Sequence, residues 1–233
     1  MRAQANVVGV AILVGVTVVA LGTLTAAIGA VVEEDAARAD ARRVADGFGS
    51  ALEPVEATGP RRGTLAFVEG DLRPVDRQVR VLNGSGVVAA VEADALVFEA
   101  GERRVTYLGG AVVRGRPPGG SMHTPPPITA SRDGGALVVG VARLGDPGAV
   151  GGSGRVAVRT NVSHERTDLG TGTFRVAVET ATPRPWRAYF ERAGATVTTR
   201  DLDGDGVPSV VARFPGERRA WLVVHDLRAE VGA

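Results

Sequence analysis

Residues 1–35 read MRAQANVVGVAILVGVTVVALGTLTAAIGAVVEED. One arginine, Arg2, is followed by an uncharged run over residues 3–32, and then by Glu33, Glu34 and Asp35. The run decides the fold, because it is either a signal peptide that is removed or a helix that stays. A secretory signal has an apolar core of roughly 7–15 residues and then a small-residue cleavage site. Here the core is about twice that length, although Thr25-Ala26-Ala27 offers small residues for a cut at its far end. As a helix, residues 7–32 extend about 39 Å at about 1.5 Å per residue. That exceeds a hydrocarbon layer of about 30 Å and allows some tilt. With the basic residue before the span and the acids after it, the N-terminus is expected in the cytoplasm and the rest of the chain outside.

The helix is expected to continue past the membrane. EEDAARADARRVADGFGSALEP contains good helix formers and no proline before Pro54. Glu34 and Arg38 are four apart in the favourable order. Val44, Phe48 and Leu52 recur at i, i+4, i+8 and make one apolar stripe on a polar helix. A continuous helix over residues 4–52 would be about 73 Å long. In its greasy half, Gly15, Gly22 and Gly29 are seven apart, close to two turns, with Gly9 near the same phase. They form a smooth stripe along which helices can pack closely in lipid. Glycine is also simply frequent in membrane helices, which is the other reading of the same residues.

Arg2-Ala3-Gln4, followed at once by NVVGVAILVGVTVVALGTLTA, resembles the class III signal sequence of archaeal type IV pilins. It is similar in particular to the pilin-like membrane proteins of halophilic archaea. The resemblance covers about the first 50 residues. It implies a cut between Ala3 and Gln4 by a membrane-embedded prepilin peptidase, after which the mature protein keeps the helix. It also implies other pilin-like subunits as partners.

After Pro54 the pattern changes to short β-branched runs broken by Gly, Pro and Asp. They include TLAFVEG, RQVRVLN, RRVTYLG, ALVVGVARL, RVAVRTN, TFRVAVET, ATVTTRD, SVVARF and AWLVVHDL. This predicts an antiparallel sandwich or barrel-like head. Residues 114–135, with five prolines and five glycines, and residues 144–154 read as loops. PRPWRAYFERAG predicts a short helix with proline in its first turn, an apolar face of Trp186, Tyr189 and Phe190, and Gly194 at its end. The fold class is thus α+β, a long N-terminal hydrophobic helix followed by a mainly antiparallel β-sandwich-like head. The expected divisions are a leader of residues 1–3, a transmembrane and amphipathic helix over residues 4–53, and a head over residues 59–233 that folds alone.

A net charge of +1 gives no field that would draw nucleic acid. All 27 basic residues are arginine, as GC-rich coding would produce. Without cysteine there is no disulfide, thiolate site or cysteine nucleophile. His123, His164 and His225 are scattered, Ser153 lacks the second glycine of a nucleophile elbow, and no phosphate loop is present. No catalytic residue is expected. In DLDGDG, Asp201, Asp203 and Asp205 alternate before Gly206, a spacing that suits Ca²⁺. The twelfth position is Ala212 rather than a bidentate glutamate, and the flanks read as strands, so a solvated acidic hairpin turn is the other reading. The sequons Asn83-Gly84-Ser85 and Asn161-Val162-Ser163 both follow expected strands, which puts both on loops of an exported head, where glycosylation requires them. Together these features predict a single-pass protein of the cell membrane with an extracellular head. Its role would be that of a pilin-like subunit or, alternatively, a surface protein that does not polymerise and whose head binds a partner or the envelope.

Overall fold

A computed structural model describes residues 2–53 and 58–232, with side chains from Leu13 onward except Ser153. The first element, α1 (Arg2–Ala51), is one unbroken helix of 50 residues. Fifteen strands and a short helix follow: β1 (Gly59–Val75), β2 (Gln78–Asn83), β3 (Gly86–Glu92), β4 (Ala95–Ala100), β5 (Arg103–Leu108), β6 (Ala111–Arg114), β7 (Ser121–Thr124), β8 (Ile128–Ala130), β9 (Ala136–Arg143), β10 (Val150–Gly172), β11 (Arg175–Glu179), α2 (Pro183–Arg192), β12 (Thr196–Arg200), β13 (Ser209–Arg213), β14 (Arg218–Asp226) and β15 (Glu230–Gly232). The fold is α+β, as the sequence predicts.

The strands form two sheets. The larger runs β7-β6-β5-β4-β1-β10-β14-β9-β8, with β15 also on β10, and the smaller runs β12-β13-β11-β2-β3. All pairings are antiparallel except β14 with β9. Two long strands organise the large sheet. β1 gives its first part to β10 and its second to β4, while β10 passes from β1 to β14. The run at 114–135, expected to be a loop, contributes the short edge strands β7 and β8.

The large sheet is covered on both faces. On one side, Val97, Leu108, Val139 and Leu222 meet Val79, Val176 and Val210 of the small sheet. Trp186 and Phe190 of α2 join this core, and Gly194 at φ +84° ends that helix. On the other side, Leu65, Phe67, Leu96, Phe98, Val105 and Val156 meet the second half of α1. Strand β4 shows why: Ala95 and Val97 belong to the first core, Leu96 and Phe98 to the second. A strand buried on both faces reads as a continuous apolar run without alternation, which is why sequence patterning overlooks it.

The stripe on α1 is wider than Val44, Phe48 and Leu52. Asp40, Ala41, Ala45 and Ala51 are buried with them. Two features lock the helix down. Tyr107, buried against Phe48, donates its hydroxyl to the Leu52 carbonyl at 2.8 Å, occupying an acceptor at the helix end. Burial pushes the Tyr107 phenol up, so it remains a donor. At Gly63 the strand lies so close to the helix that an added Cβ would stand 2.3 Å from the Ala51 Cβ. The boundary expected at Gly59 therefore cuts through a packed layer: residues 40–52 belong to the head's own core.

Asp40 closes the contact at the other end. Between Phe67 and Gly70, β1 carries one residue more than β10 opposite it, a β-bulge. The bulge takes two amides off the ladder, and Asp40 Oδ2 accepts both, from Val68 N at 2.8 Å and from Glu69 N at 3.3 Å. Arg43, one turn on, pairs with the other carboxylate oxygen.

Candidate functional site

Among the described side chains of its first half, Leu13 onward, α1 meets nothing. Leu13, Val16, Val19, Leu24, Ile28 and Val32 are all more than half exposed. One helix among the described residues is long and apolar enough to cross a membrane. Nothing lies within 4 Å of where a Cβ would stand at Gly15, Gly22 or Gly29, so that stripe is open along its length. The Ala3–Gln4 junction falls on helical backbone, and its side chains lie outside the described ones.

The acidic motif forms the exposed turn between β12 and β13. It does not bring the three aspartates together. Both oxygens of Asp201 face inward along the turn, accepting from Gly204 N at 2.8 Å and Gly206 N at 3.0 Å. Those bonds hold its carboxyl below the usual range. Glu179, at the end of β11, stands in its place: it, Asp203 and Asp205 bring carboxylate oxygens within 4.8 Å of one another. The expected trio of Asp201, Asp203 and Asp205 is corrected accordingly. Arg80 reaches Asp203 at 2.5 Å and Glu179 at 3.7 Å, and Arg77 reaches Glu179 at 3.4 Å. Burial raises the Glu179 carboxyl against the pull of Arg77. Two arginines thus already neutralise most of the charge that a Ca²⁺ ion would be needed to balance, and both oxygens of Glu179 and one of Asp203 face those arginines. Glu179 was invisible to motif reading because it lies 22 residues before Asp201 and arrives through sheet pairing.

The two sequons differ. Asn83 opens the β2–β3 turn, where its Oδ1 accepts from Ser85 N at 2.8 Å. Asn161, expected on a loop, sits inside β10 opposite Pro60, with its amide bonded to the Leu227 carbonyl. Its side chain is exposed while Thr160 and Val162 turn inward.

The histidines are less scattered than their spacing suggests. His164 and His225 face each other in the β10–β14 ladder, with Nδ1 atoms 2.9 Å apart. One ring must donate and the other accept, so the contact fails when both are protonated. His225 is 6 % exposed, and burial, then the neighbouring His164, lowers its pKa to about 4. The unfolded chain binds that proton near pH 6.5, so the stabilisation is complete above this value and is lost progressively towards pH 4. We expect the protein to lose on the order of 1–2 kcal/mol between pH 7.5 and pH 5 from this residue. His225→Phe should flatten that part of the melting-temperature profile. A profile unchanged by the substitution would remove His225 as its source.

These features define a β-rich head carried on a helix long enough to cross a bilayer. Over residues 2–230 the chain matches the family described as a family of unknown function, DUF7289, and it belongs to that family. No curated protein and no solved structure matches it.

Proposed function

We propose that the protein is a pilin-like structural subunit, held in the cell membrane by α1 with its head outside the cell. On this reading a prepilin peptidase removes residues 1–3, and copies assemble with each other or with similar subunits through the apolar half of the helix. The observation that carries it is the division of one continuous helix: residues 40–52 are built into the head, while residues 13–32 are bare and apolar on every side. Such a helix is a rigid handle, offered either to lipid or to neighbouring helices. Asn83, at a turn, is the better placed glycan acceptor of the two sequons.

Lipid tails are as apolar as Val or Leu, so burial alone does not move the helix from bilayer to filament; close packing along a small-residue face contributes instead. Gly22→Leu should leave insertion intact, since Leu favours it. It should also lower the ratio of sheared extracellular protein to membrane-retained protein several-fold. N-terminal mass spectrometry on the same material should find Gln4 first. A mature chain starting after Ala27 would remove both anchor and subunit. Wild-type protein absent from every sheared fraction would leave the non-polymerising surface protein, whose head binds a partner or the envelope.

A further inference from the structure

Where α1 leaves its apolar run, the head presents a cleft of about 480 Å³ lined by Arg38 and Arg42 of the helix and by Arg103, Arg104, Arg114 and Arg116 around β5 and β6. One carboxylate, Glu102, lines it with them. Four of these arginines have ion-pair partners: Arg38 with Glu34 and Asp35, Arg103 with Glu34, Arg104 with Glu99, and Arg116 with Glu102. Among the described residues Arg42 and Arg114 have none. The Nε–H groups of Arg103, Arg104 and Arg114 are buried and have no hydrogen-bond acceptor. Buried donors ordinarily find one. Burial also pulls the Arg104 guanidinium below its usual range despite Glu99. Cations concentrated beyond their local counter-charges, with donors left over, suit a ligand with several anionic oxygens; guanidinium forks match phosphate in both charge and geometry.

The position of the cleft narrows the source. Glu34, two residues past the apolar run, touches both Arg38 at 3.0 Å and Arg103 at 2.6 Å. At about 1.5 Å per residue, Arg38 stands about 9 Å and Arg42 about 15 Å along the helix from Val32. The headgroup layer beyond the hydrocarbon is about 5–8 Å deep, and electrostatic attraction reaches about a Debye length, some 8–10 Å, further. We propose that this cleft binds a phosphate-type oxyanion, presented by the headgroup of an anionic membrane lipid. The oxyanion chemistry stands on the cleft alone, whereas the lipid source rests on the reading of residues 13–32 as membrane-spanning.

The test uses the full-length protein. In neutral detergent it is titrated with inorganic phosphate and with short-chain phosphatidylglycerol, following the melting temperature. It is then placed in nanodiscs of phosphatidylcholine with and without phosphatidylglycerol, with incorporation scored separately by size exclusion. Arg42→Gln/Arg114→Gln breaks no ion pair and should weaken phosphatidylglycerol binding about 30-fold, at about fivefold per arginine near an anionic surface. The control Arg61→Gln/Arg62→Gln alters two exposed arginines of β1 and should leave binding unchanged. Stabilisation by phosphate equal to that by the lipid would keep the oxyanion site and assign it to free anions. An equal loss in both double variants, or no response to either ligand, overturns the site. Failure to enter nanodiscs with phosphate binding intact overturns only the membrane reading.

Discussion

A chain shortened to begin at Glu33 should stay soluble and unfold in one cooperative transition, whereas one shortened to begin at Gly59 should not. The first loses the apolar half of α1, whose described side chains, Leu13 to Val32, are exposed and make no contact with the head. The second also loses residues 40–52 and uncovers Leu65, Phe67, Leu96, Phe98, Val105 and Tyr107, each no more than 4 % exposed in the folded protein. Burying Val44, Phe48 and Leu52 contributes about 2 kcal/mol each, before the cavity left behind is counted. That loss is comparable to a typical total stability of about 5–15 kcal/mol. The shorter chain should therefore aggregate or bind a hydrophobic dye and show no sharp thermal transition. A cooperative melt of the Gly59 chain within a few degrees of the longer one would mean that the helix contributes little to the head.

In the chain beginning at Glu33, Asp40→Leu should lower stability by about 3 kcal/mol, because a partly buried pair of bulge amides loses its acceptor. Asp40→Asn keeps one acceptor oxygen and should cost about 1 kcal/mol, and Arg43→Ala, at the solvent side of the pair, less still. Denaturant unfolding of the three variants gives the order directly. Equal effects of Leu and Asn would show that the charge, rather than the captured amides, is what stabilises the contact. In the full-length protein the same Leu substitution should loosen the docked part of the helix at the end nearer its apolar run and raise amide exchange at Val68 and Glu69 first.

Several features were legible from local sequence. Period-3.6 spacing identified Val44, Phe48 and Leu52 as an apolar stripe, though not that it belongs to the head's own core, and proline, aromatic spacing and Gly194 delimited α2 correctly. Alternation found RVAVRTN, the part of β10 that buries Val156 and Val158, but residues 150–154, read as a loop, open the same strand. Alternation failed at β4, where Leu96 and Phe98 meet the helix while Ala95 and Val97 meet the second sheet, so that no polar residue interrupts positions 95–98. Asn161 was misplaced because residues 155–172 continue as one strand through the sequon.

The sequence by itself determined that a long apolar helix precedes a β-rich head, because hydrophobic run length and alternation are properties of neighbouring residues. Only the tertiary structure decided which distant groups meet. Asp40 reaches amides 28 and 29 residues away because a bulge in β1 frees them. Glu179 replaces Asp201 beside Asp203 because β11 pairs with β13. His164 meets His225 across a ladder. Six arginines, from the helix and from the strands and turns around β5 and β6, share one cleft because the helix docks on β5 and β6. Pairing register and layer packing act across tens to hundreds of residues, and no short window of sequence encodes them.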